Sequence, residues 1–217
     1  MVMKNLELEE LIKHMKKTGV LRSKKLEKVL REVDREDFIP VKNKAFAYDD
    51  APVPIGHGQT ISQPSTVVMM TEALDVKKGQ KILEIGSGSG WQAAILSKLV
   101  GDTGQIFTIE RIPELVKMAR KNLKNYKNVK VKKSDGSEGL KKEAPFHRII
   151  VTAAAPQMIL KLKEQLKING KLIIPVGNRY VQEMLVIKKI KEDQFEEEKI
   201  GTFAFVPLIG KHGFTSS

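Results

Sequence analysis

In this 217-residue chain the fold is indicated most directly by Ile82-Leu83-Glu84-Ile85-Gly86-Ser87-Gly88-Ser89-Gly90. It joins a short apolar strand, predicted over Lys81–Ile85, to a helix predicted over residues 90–99. Glycines in a strand-to-helix turn let the backbone turn tightly and let a ligand approach main-chain N–H groups closely. Three alternating glycines therefore predict a ligand site at the end of the strand rather than a mere tight connection.

The residues that follow alternate between strands and helices. Further strands are predicted over residues 105–109, 129–131, 148–152 and 171–176. Helices are predicted over residues 113–126 and 157–166. Such alternation is typical of a parallel sheet with helices on both faces. Residues 182–190 and 199–206 lie too close together for a crossover helix, so they predict an antiparallel edge.

The ligand expected at the glycine turn is a nucleoside. A second strand ends in Glu110, 24 residues after Gly86, and a carboxylate there can accept hydrogen bonds from both ribose hydroxyls. A dinucleotide fingerprint would place its third glycine where this chain has Trp91. The negative charge of Glu84, just before the turn, suits an ammonium or sulfonium group better than a pyrophosphate. Both observations favour S-adenosylmethionine over NAD as the cofactor.

A third strand is followed by Asp135-Gly136, which fits the same ligand. That strand end lies beside the adenine position in this topology, so Asp135 could accept from the adenine amino group. An Asp-Gly pair also commonly forms a turn, and both interpretations stay open. Together these features predict an α/β fold, a Rossmann-like class I methyltransferase with a mostly parallel sheet, helices on both faces and an antiparallel carboxyl-terminal edge.

A single methyltransferase domain is expected over residues 1–217, with two segments ahead of the glycine turn. Residues 1–43 form an N-terminal helical extension, in which Ser23 can cap the second helix. Residues 44–64 hold prolines and glycines without a regular period, and so long a loop is more often functional than filler. They are the expected substrate and cofactor loop, and Pro64 fits the first turn of the next helix.

Composition excludes several classes of protein. The chain has 38 Lys and Arg against 26 Asp and Glu, 41% hydrophobic residues and no cysteine. This apolar content excludes wholesale disorder, and the lack of cysteine excludes disulfides, zinc–thiolate sites and a cysteine nucleophile. The histidines show no metal-ligand spacing, so no metal is expected. No apolar run approaches the ~18 residues of a membrane span, and no apolar signal segment is evident. A cytoplasmic monomer without membrane association is expected.

The positive charge is concentrated in residues 111–142, which carry 11 Lys and Arg against 3 Asp and Glu. A basic face can attract nucleic acid or acidic polypeptides. A solvated helix and loop surface is the simpler interpretation, and no specific nucleic-acid partner is expected.

The most specific stretch is Tyr48-Asp49-Asp50-Ala51-Pro52-Val53-Pro54-Ile55-Gly56-His57-Gly58-Gln59-Thr60-Ile61-Ser62-Gln63-Pro64. It closely resembles the signature of the protein-L-isoaspartate (D-aspartate) O-methyltransferase family. The match continues through the glycine turn, Asp135-Gly136, Ala153-Ala154-Ala155-Pro156, Leu172-Ile173-Ile174-Pro175-Val176-Gly177 and Phe205-Val206-Pro207-Leu208. It covers most of the chain, from Leu11 to Leu208.

The resemblance implies an enzyme that starts the repair of damaged proteins. Asn and Asp residues isomerise through a succinimide, after which the chain runs through the side-chain carbonyl group. Members of the family use S-adenosylmethionine to methylate the displaced α-carboxylate of L-isoaspartyl residues, with D-aspartyl residues as a further candidate, and release S-adenosylhomocysteine. The ester collapses to succinimide, part of which hydrolyses to normal aspartate. Isoaspartyl peptides and damaged proteins are the expected partners.

The glycine turn and the resemblance together give a set of candidate site residues. Ser62 falls on the family's active-site serine. The candidate cofactor-binding residues are Thr60, Ile61, Glu84, Gly86, Ser87, Gly88, Ser89, Gly90, Glu110, Arg111, Asp135 and Gly136. The residues that fall on substrate-docking positions are Ile55, Gly56, His57, Val206 and Leu208. Val67 and residues 209–214 depart from the pattern of some relatives.

Ser62 is expected to position the substrate rather than to form an acyl-enzyme. A carboxylate is already ionised at pH 7 and the methyl donor is already activated, so transfer needs alignment more than a strong base. A serine hydroxyl can donate to one carboxylate oxygen and leave the other free to attack. The alternative is that Ser62 caps the helix that begins at Pro64. His57 is expected to shape the peptide cleft rather than to act as a base.

Other functions compete with repair. Amino-directed RNA base methyltransferases usually carry an Asp/Asn-Pro-Pro-aromatic motif where this chain reads Thr152-Ala153-Ala154-Ala155-Pro156. A basic, non-enzymatic nucleic-acid-binding protein would leave the glycine turn and residues 48–64 unexplained, and one Trp and three Tyr offer little stacking. The glycine turn superficially fits a hydrolase elbow, but nothing identifies the acid and histidine partners in the required order.

Overall fold

A seven-stranded sheet forms the centre of the computed structural model, which describes the backbone of residues 2–215 and the side chains of residues 6–215. The strands are β1 (Val53–Gly56), β2 (Gln59–Ile61), β3 (Lys81–Ile85), β4 (Gln105–Glu110), β5 (Val129–Lys133), β6 (Phe146–Val151), β7 (Leu166–Gly177), β8 (Gln182–Lys191) and β9 (Gln194–Phe203). The sheet runs in the order β5-β4-β3-β6-β7-β8-β9, and β1 and β2 form a separate hairpin. Strands β3 to β7 are parallel, and β8 pairs antiparallel with both β7 and β9, so the predicted mostly parallel sheet with an antiparallel carboxyl-terminal edge is confirmed.

Helices cover both faces of this sheet, as predicted. They are α1 (Val2–Lys17), α2 (Lys24–Glu32), α3 (Pro64–Leu74), α4 (Trp91–Val100), α5 (Pro113–Asn122) and α6 (Leu160–Glu164). Short 3-10 turns occupy Arg35–Phe38, Val41–Phe46, Gly136–Glu138 and Lys141–Glu143. Successive strand residues enter opposite cores, with Ile82 in the cluster beneath α1 to α5 and Leu83 in the cluster beneath α6.

The N-terminal extension packs into the same core as the sheet. The Ser23 hydroxyl accepts a hydrogen bond from the Leu26 N–H at 3.1 Å, which confirms the predicted helix cap. Leu26, Val29 and Leu30 are buried on the side of α2 that packs against α4. The extension therefore brings the turn Arg35–Phe38 close to the start of α4.

The loop expected over residues 44–64 contains a β-hairpin, so its prediction as wholly irregular was wrong. Val53 of β1 pairs with Ile61 of β2. The chain reverses through Gly56, His57 and Gly58, all of which have positive φ angles. Alternate burial along β1 is a strand signal, but prolines interrupt it in the sequence.

Two boundaries near the carboxyl terminus also differ from prediction. The helix expected over residues 157–166 is only Leu160–Glu164, because Leu166 already pairs with Phe146 in the sheet. The last strand ends at Phe203 rather than at residue 206. The chain that follows leaves β9 and crosses to Ala154, which bridges to Pro207.

Gly86 should tolerate no side chain. Its φ is 98°, and an added Cβ would collide with Oγ1 of Thr152. We expect Gly86→Ala to lower the free energy of unfolding by about 2–4 kcal/mol, because backbone strain and overpacking add. Urea unfolding measures this loss. The matched control is Gly101→Ala, where φ is 68° and nothing lies within 4 Å, so only strain remains. Equal losses in the two variants would refute the contact with Thr152.

Candidate active site

A cavity of about 230 Å³ opens at the carboxyl ends of β3, β4 and β6. The order of the strands reverses between β3 and β6, and open α/β sheets bind ligands at such a switch point. The candidate residues that line it are His57, Thr60, Ile61, Ser62, Glu84, Gly86, Ser87, Gly88, Ser89, Glu110, Arg111, Gly136, Val206 and Leu208. The candidates that do not line it are Ile55, Gly56, Gly90 and Asp135.

The glycine turn serves the cavity differently from the sequence prediction. The N–H groups of Gly86 and Ser87 both donate to the carbonyl of Ile109, at 2.9 and 3.0 Å, and the N–H of Gly90 donates to Ser87 at 2.8 Å. These donors are therefore already used within the protein. Gly86, Gly88 and Gly90 all have positive φ, so the glycines contribute a tight turn and space free of side chains.

Glu110 is held rigidly at the end of β4. Its Oε1 accepts from the N–H groups of Arg111 and Ile112 at 2.8 and 3.0 Å, and its Oε2 accepts from Gly88 at 3.1 Å. Each carboxylate oxygen can accept further hydrogen bonds. The residue is therefore a fixed, negatively charged acceptor on the wall of the cavity.

Glu84 is fully buried and lines the same cavity. Neither of its carboxylate oxygens has a hydrogen-bond partner among the side chains and backbone that the structure describes. Burial, opposed by the neighbouring hydroxyl of Thr108 and assisted by the charge of Glu110, raises its pKa to about 8. A buried acid in this state favours a neighbour that is cationic or donates hydrogen bonds.

Asp135 is engaged elsewhere. Its Oδ1 accepts from the N–H and hydroxyl of Ser137, at 2.9 and 2.8 Å, and its Oδ2 accepts from the N–H of Lys211 at 2.8 Å. Burial alone would raise its pKa, but these hydrogen bonds hold the pKa below its ordinary value. Asp135 thus forms the turn that the sequence allowed, and its contact with an adenine amino group stays a prediction.

Ser62 faces the cavity and does not cap α3. The N-cap position belongs to Gln63, so the capping alternative was wrong, whereas Pro64 does occupy the first turn. Asp50 fastens the helix start instead, since its carboxylate accepts from the N–H of Ser65 at 2.8 Å and from the Ser65 hydroxyl at 2.6 Å. His57 is exposed at the hairpin tip, at the mouth of the cavity.

Sequence reasoning assigned no site role to several lining residues. Trp91 was interpreted as core packing; it is in the core, with 4% exposure, and it also lines the cavity. Other lining residues are Ile112, Leu115, Thr152, Ala153, Pro207 and Ile209. Only their position in the sequence could have indicated these residues, because each follows or flanks a segment that the sequence had already placed at the site.

The described residues contain neither a metal-binding cluster nor a membrane-spanning helix. No group of three or more His, Cys, Asp or Glu residues in residues 6–215 is arranged to hold a metal ion. No helix in the described part of the chain is long and apolar enough to cross a membrane.

The sheet order, the glycine turn and the cavity above it define a class I, S-adenosylmethionine-dependent methyltransferase. A crystal structure described as a protein-L-isoaspartate O-methyltransferase from Plasmodium falciparum, in complex with S-adenosyl-L-homocysteine, aligns with a TM-score of 0.81 at 26% identity, covering 92% of this chain and 97% of that one. Another solved protein-L-isoaspartate O-methyltransferase aligns with a TM-score of 0.85 at 28% identity, covering 95% of this chain and 67% of that one.

Sequence comparison identifies the family. Residues 6–213 match the family model for protein-L-isoaspartate(D-aspartate) O-methyltransferase. Curated relatives of that name include one from Methanopyrus kandleri, 46% identical over 95% of this chain and 92% of its own length. Another, from Fervidobacterium nodosum, is 48% identical over 91% of this chain and 99% of its own length. The chain belongs to the protein-L-isoaspartate(D-aspartate) O-methyltransferase family, which confirms the resemblance in its sequence.

The buried acid makes the stability of the protein depend on pH. The pKa of Glu84 is about 8 in the folded protein against an ordinary 4.5, so the folded state keeps a proton that the unfolded chain releases. The contribution of Glu84 to stability is therefore present at low pH and lost as the pH rises from about 4.5 to 8.

We expect Glu84→Gln to remove this loss, because the amide does not ionise. Between pH 5 and pH 9 the wild type should lose at least about 1 kcal/mol more than the variant, or roughly 2–4 °C in melting temperature. Thermal unfolding at several pH values, without cofactor, measures the difference. The matched control is Glu164→Gln, an exposed acid on α6 that should track the wild type. If the melting temperatures of the wild type and Glu84→Gln change with pH in the same way, the prediction that buried Glu84 titrates is contradicted.

Proposed function

We propose that this protein transfers a methyl group from S-adenosylmethionine to the free α-carboxylate of L-isoaspartyl residues, and starts repair of the damaged chain through a succinimide. The observation that carries the proposal is one shared cavity. It joins the glycine turn and the buried acids Glu84 and Glu110 to Ser62 of the family's signature loop. A nucleoside with a cationic tail and a peptide carboxylate can therefore meet in one place.

The residues of the cavity fit this cofactor. Glu84 is a buried acid without a hydrogen-bond partner in residues 6–215, so an ammonium or sulfonium group would supply the missing charge. Glu110 offers fixed carboxylate oxygens that suit ribose hydroxyls. The other residues proposed to surround the cofactor are Thr60, Ile61, Gly86, Ser87, Gly88, Ser89, Gly90, Arg111, Asp135 and Gly136. When bound, S-adenosylmethionine supplies an activated methyl group.

The chain's own contribution is alignment. A peptide carboxylate needs no strong base at pH 7, because it is already ionised. We propose that the Ser62 hydroxyl donates to one carboxylate oxygen and leaves the other directed at the cofactor. Holding two reactants in this way accounts for ~7–11 kcal/mol of barrier in favourable cases.

The peptide is proposed to dock between the β1–β2 hairpin and the segment after β9. The proposed docking residues are Ile55, Gly56, His57, Val206 and Leu208. The second segment is held firmly, since Ala154 donates to the carbonyl of Val206 at 2.8 Å and accepts from the N–H of Leu208 at 2.7 Å. This segment and the hairpin tip both line the cavity.

Several finer features stay predictions of the sequence. They are the monomeric state, the cytoplasmic location, the absence of a specific nucleic-acid partner, and the activity on D-aspartyl residues. The division of one domain into an extension, residues 1–43, and a substrate and cofactor loop, residues 44–64, is likewise proposed as a functional division.

The activity should be confined to isoaspartyl peptides. Labelled S-adenosylmethionine is supplied with an isoaspartyl peptide, its normal aspartyl twin and RNA in parallel. We expect label on the isoaspartyl peptide alone, released as methanol by mild base because the product is an ester. Base-stable label on RNA would overturn the proposal in favour of a nucleic-acid methyltransferase.

Ser62→Ala should lower kcat by roughly 100-fold, because loss of one hydrogen bond lets the carboxylate move away from its line of attack. The affinity for S-adenosylhomocysteine, followed through the fluorescence of Trp91 in the cavity wall, should stay nearly constant. Ser62→Thr keeps a hydroxyl and should retain more turnover than the alanine variant. Unchanged turnover in Ser62→Ala would contradict the proposal that Ser62 positions the substrate carboxylate.

A further inference from the structure

Arg35 is a buried arginine whose hydrogen bonds go to main-chain carbonyl groups. Its side chain belongs to the turn that follows α2, and the residue is 2% exposed. Nη1 donates to Ala47 at 2.8 Å and to Asp49 at 3.3 Å. Nη2 donates to Ala51 at 2.9 Å and to Ser62 at 3.0 Å. One guanidinium thus gathers carbonyls from both ends of residues 47–62.

Burial of this guanidinium carries a cost. Desolvation lowers the pKa of Arg35 to about 10, although the charges of Asp50 and Asp49 oppose the change. In return, the planar guanidinium presents five N–H donors in a fixed geometry, which no other side chain provides. It can therefore hold several carbonyls of an irregular segment in set directions, and each would otherwise need its own partner.

Arg35 also contacts a second residue that lines the cavity. Its guanidinium lies 5.5 Å from the ring centroid of Trp91, within range of a cation–π contact. Trp91 is the first residue of α4, directly after the glycine turn, and its Nε1 donates to the carbonyl of Val33 at 3.2 Å. The same cation thus contacts the start of α4 and the backbone of Ser62.

The loop has other attachments, but they hold other parts of it. The Tyr48 hydroxyl lies 2.8 and 2.9 Å from the two carboxylate oxygens of Asp34, and Asn43 donates to Pro54 at 2.7 Å. Asp50 binds Ser65, three residues beyond Ser62. Among the side-chain hydrogen bonds of residues 6–215, the one that reaches the Ser62 carbonyl comes from Arg35.

We infer that Arg35 is a positioning residue for methyl transfer: it sets the main chain of Ser62 relative to the wall of the cavity at Trp91, and so directs the substrate carboxylate. This inference rests on the proposed role of Ser62. Arg35 does not itself line the cavity, and it acts through the loop that carries Ser62.

The test compares two buried arginines. Arg148, 7% exposed, also donates to main-chain carbonyls, those of Leu74 at 2.6 Å, Asp75 at 3.1 Å and His147 at 2.8 Å. Neither arginine lines the cavity, but Ser62, which accepts from Arg35, does, whereas none of these three acceptors of Arg148 does. Arg35→Met and Arg148→Met each remove one such guanidinium at similar volume. Both should lower the melting temperature, so stability alone does not separate them.

Turnover should separate them. We expect Arg35→Met to lower kcat for an isoaspartyl peptide by at least about 10-fold, while the Kd for S-adenosylhomocysteine changes by less than about threefold. Arg148→Met should keep the wild-type kcat. Arg35→Lys keeps the charge but has fewer donors, so it should fold and recover part of the turnover. Wild-type kcat in both Arg35 variants would overturn the inference, as would equal loss in Arg148→Met.

Two further measurements do not need activity. Trp91 is the single tryptophan, so its emission should change in the free Arg35 variants and not in Arg148→Met. Trypsin should cleave faster after Lys42 or Lys44 when the neighbouring loop is released. If the wild type methylates no isoaspartyl peptide, the proposed function fails, yet these two readouts still decide whether Arg35 fixes the loop. Unchanged emission and cleavage would show that it does not.

Discussion

A carboxylate buried in the central strand, without a partner to neutralise it, is the constraint on which the site depends. Glu84 lies in β3, is fully buried, and has a pKa raised to about 8. Such a group is stable only when a proton or a cationic ligand supplies the missing charge. The glycines that follow keep the space beside it free of side chains. The buried acid and the glycine turn together therefore suit a ligand with a cationic end, which can take the place of the proton.

The sequence predicted this combination of strand, glycine turn and acids because its parts lie close together in the chain. A strand, three glycines and an acid 24 residues further on are visible without tertiary contacts. The sequence did not show that Ile109 already occupies the N–H groups of the turn, because that pairing depends on the register between β3 and β4. The β1–β2 hairpin was missed because prolines obscure its alternation, and Asp135 was ambiguous because its partner Lys211 is remote in sequence.

The N-terminal segment is more closely tied to the chemistry than its position in the sequence suggests. Helical periodicity in residues 1–43 indicates a packing element and nothing more. In the structure the end of this segment contains Asp34, whose carboxylate accepts a hydrogen bond from the Tyr48 hydroxyl. It also contains Arg35, whose guanidinium donates to the Ser62 carbonyl. These hydrogen bonds hold a loop interrupted by prolines in one conformation at the cavity, so the entropy cost of ordering that loop is met before a ligand binds. Periodicity could not reveal this, because a guanidinium bonded to carbonyls leaves no pattern.

The uneven charge has an explanation in the sheet itself. Strand β5 is one edge, and its exposed residues Lys130, Lys132 and Lys133 account for part of the basic stretch. Strand β9 is the other edge and exposes Glu196–Glu198, with Glu196 paired to Lys188 at 3.6 Å. Charged side chains on edge strands discourage pairing with another chain. The position of β5 at an edge of the sheet thus explains part of the basic segment, whereas the two acids that line the cavity lie at the ends of β3 and β4.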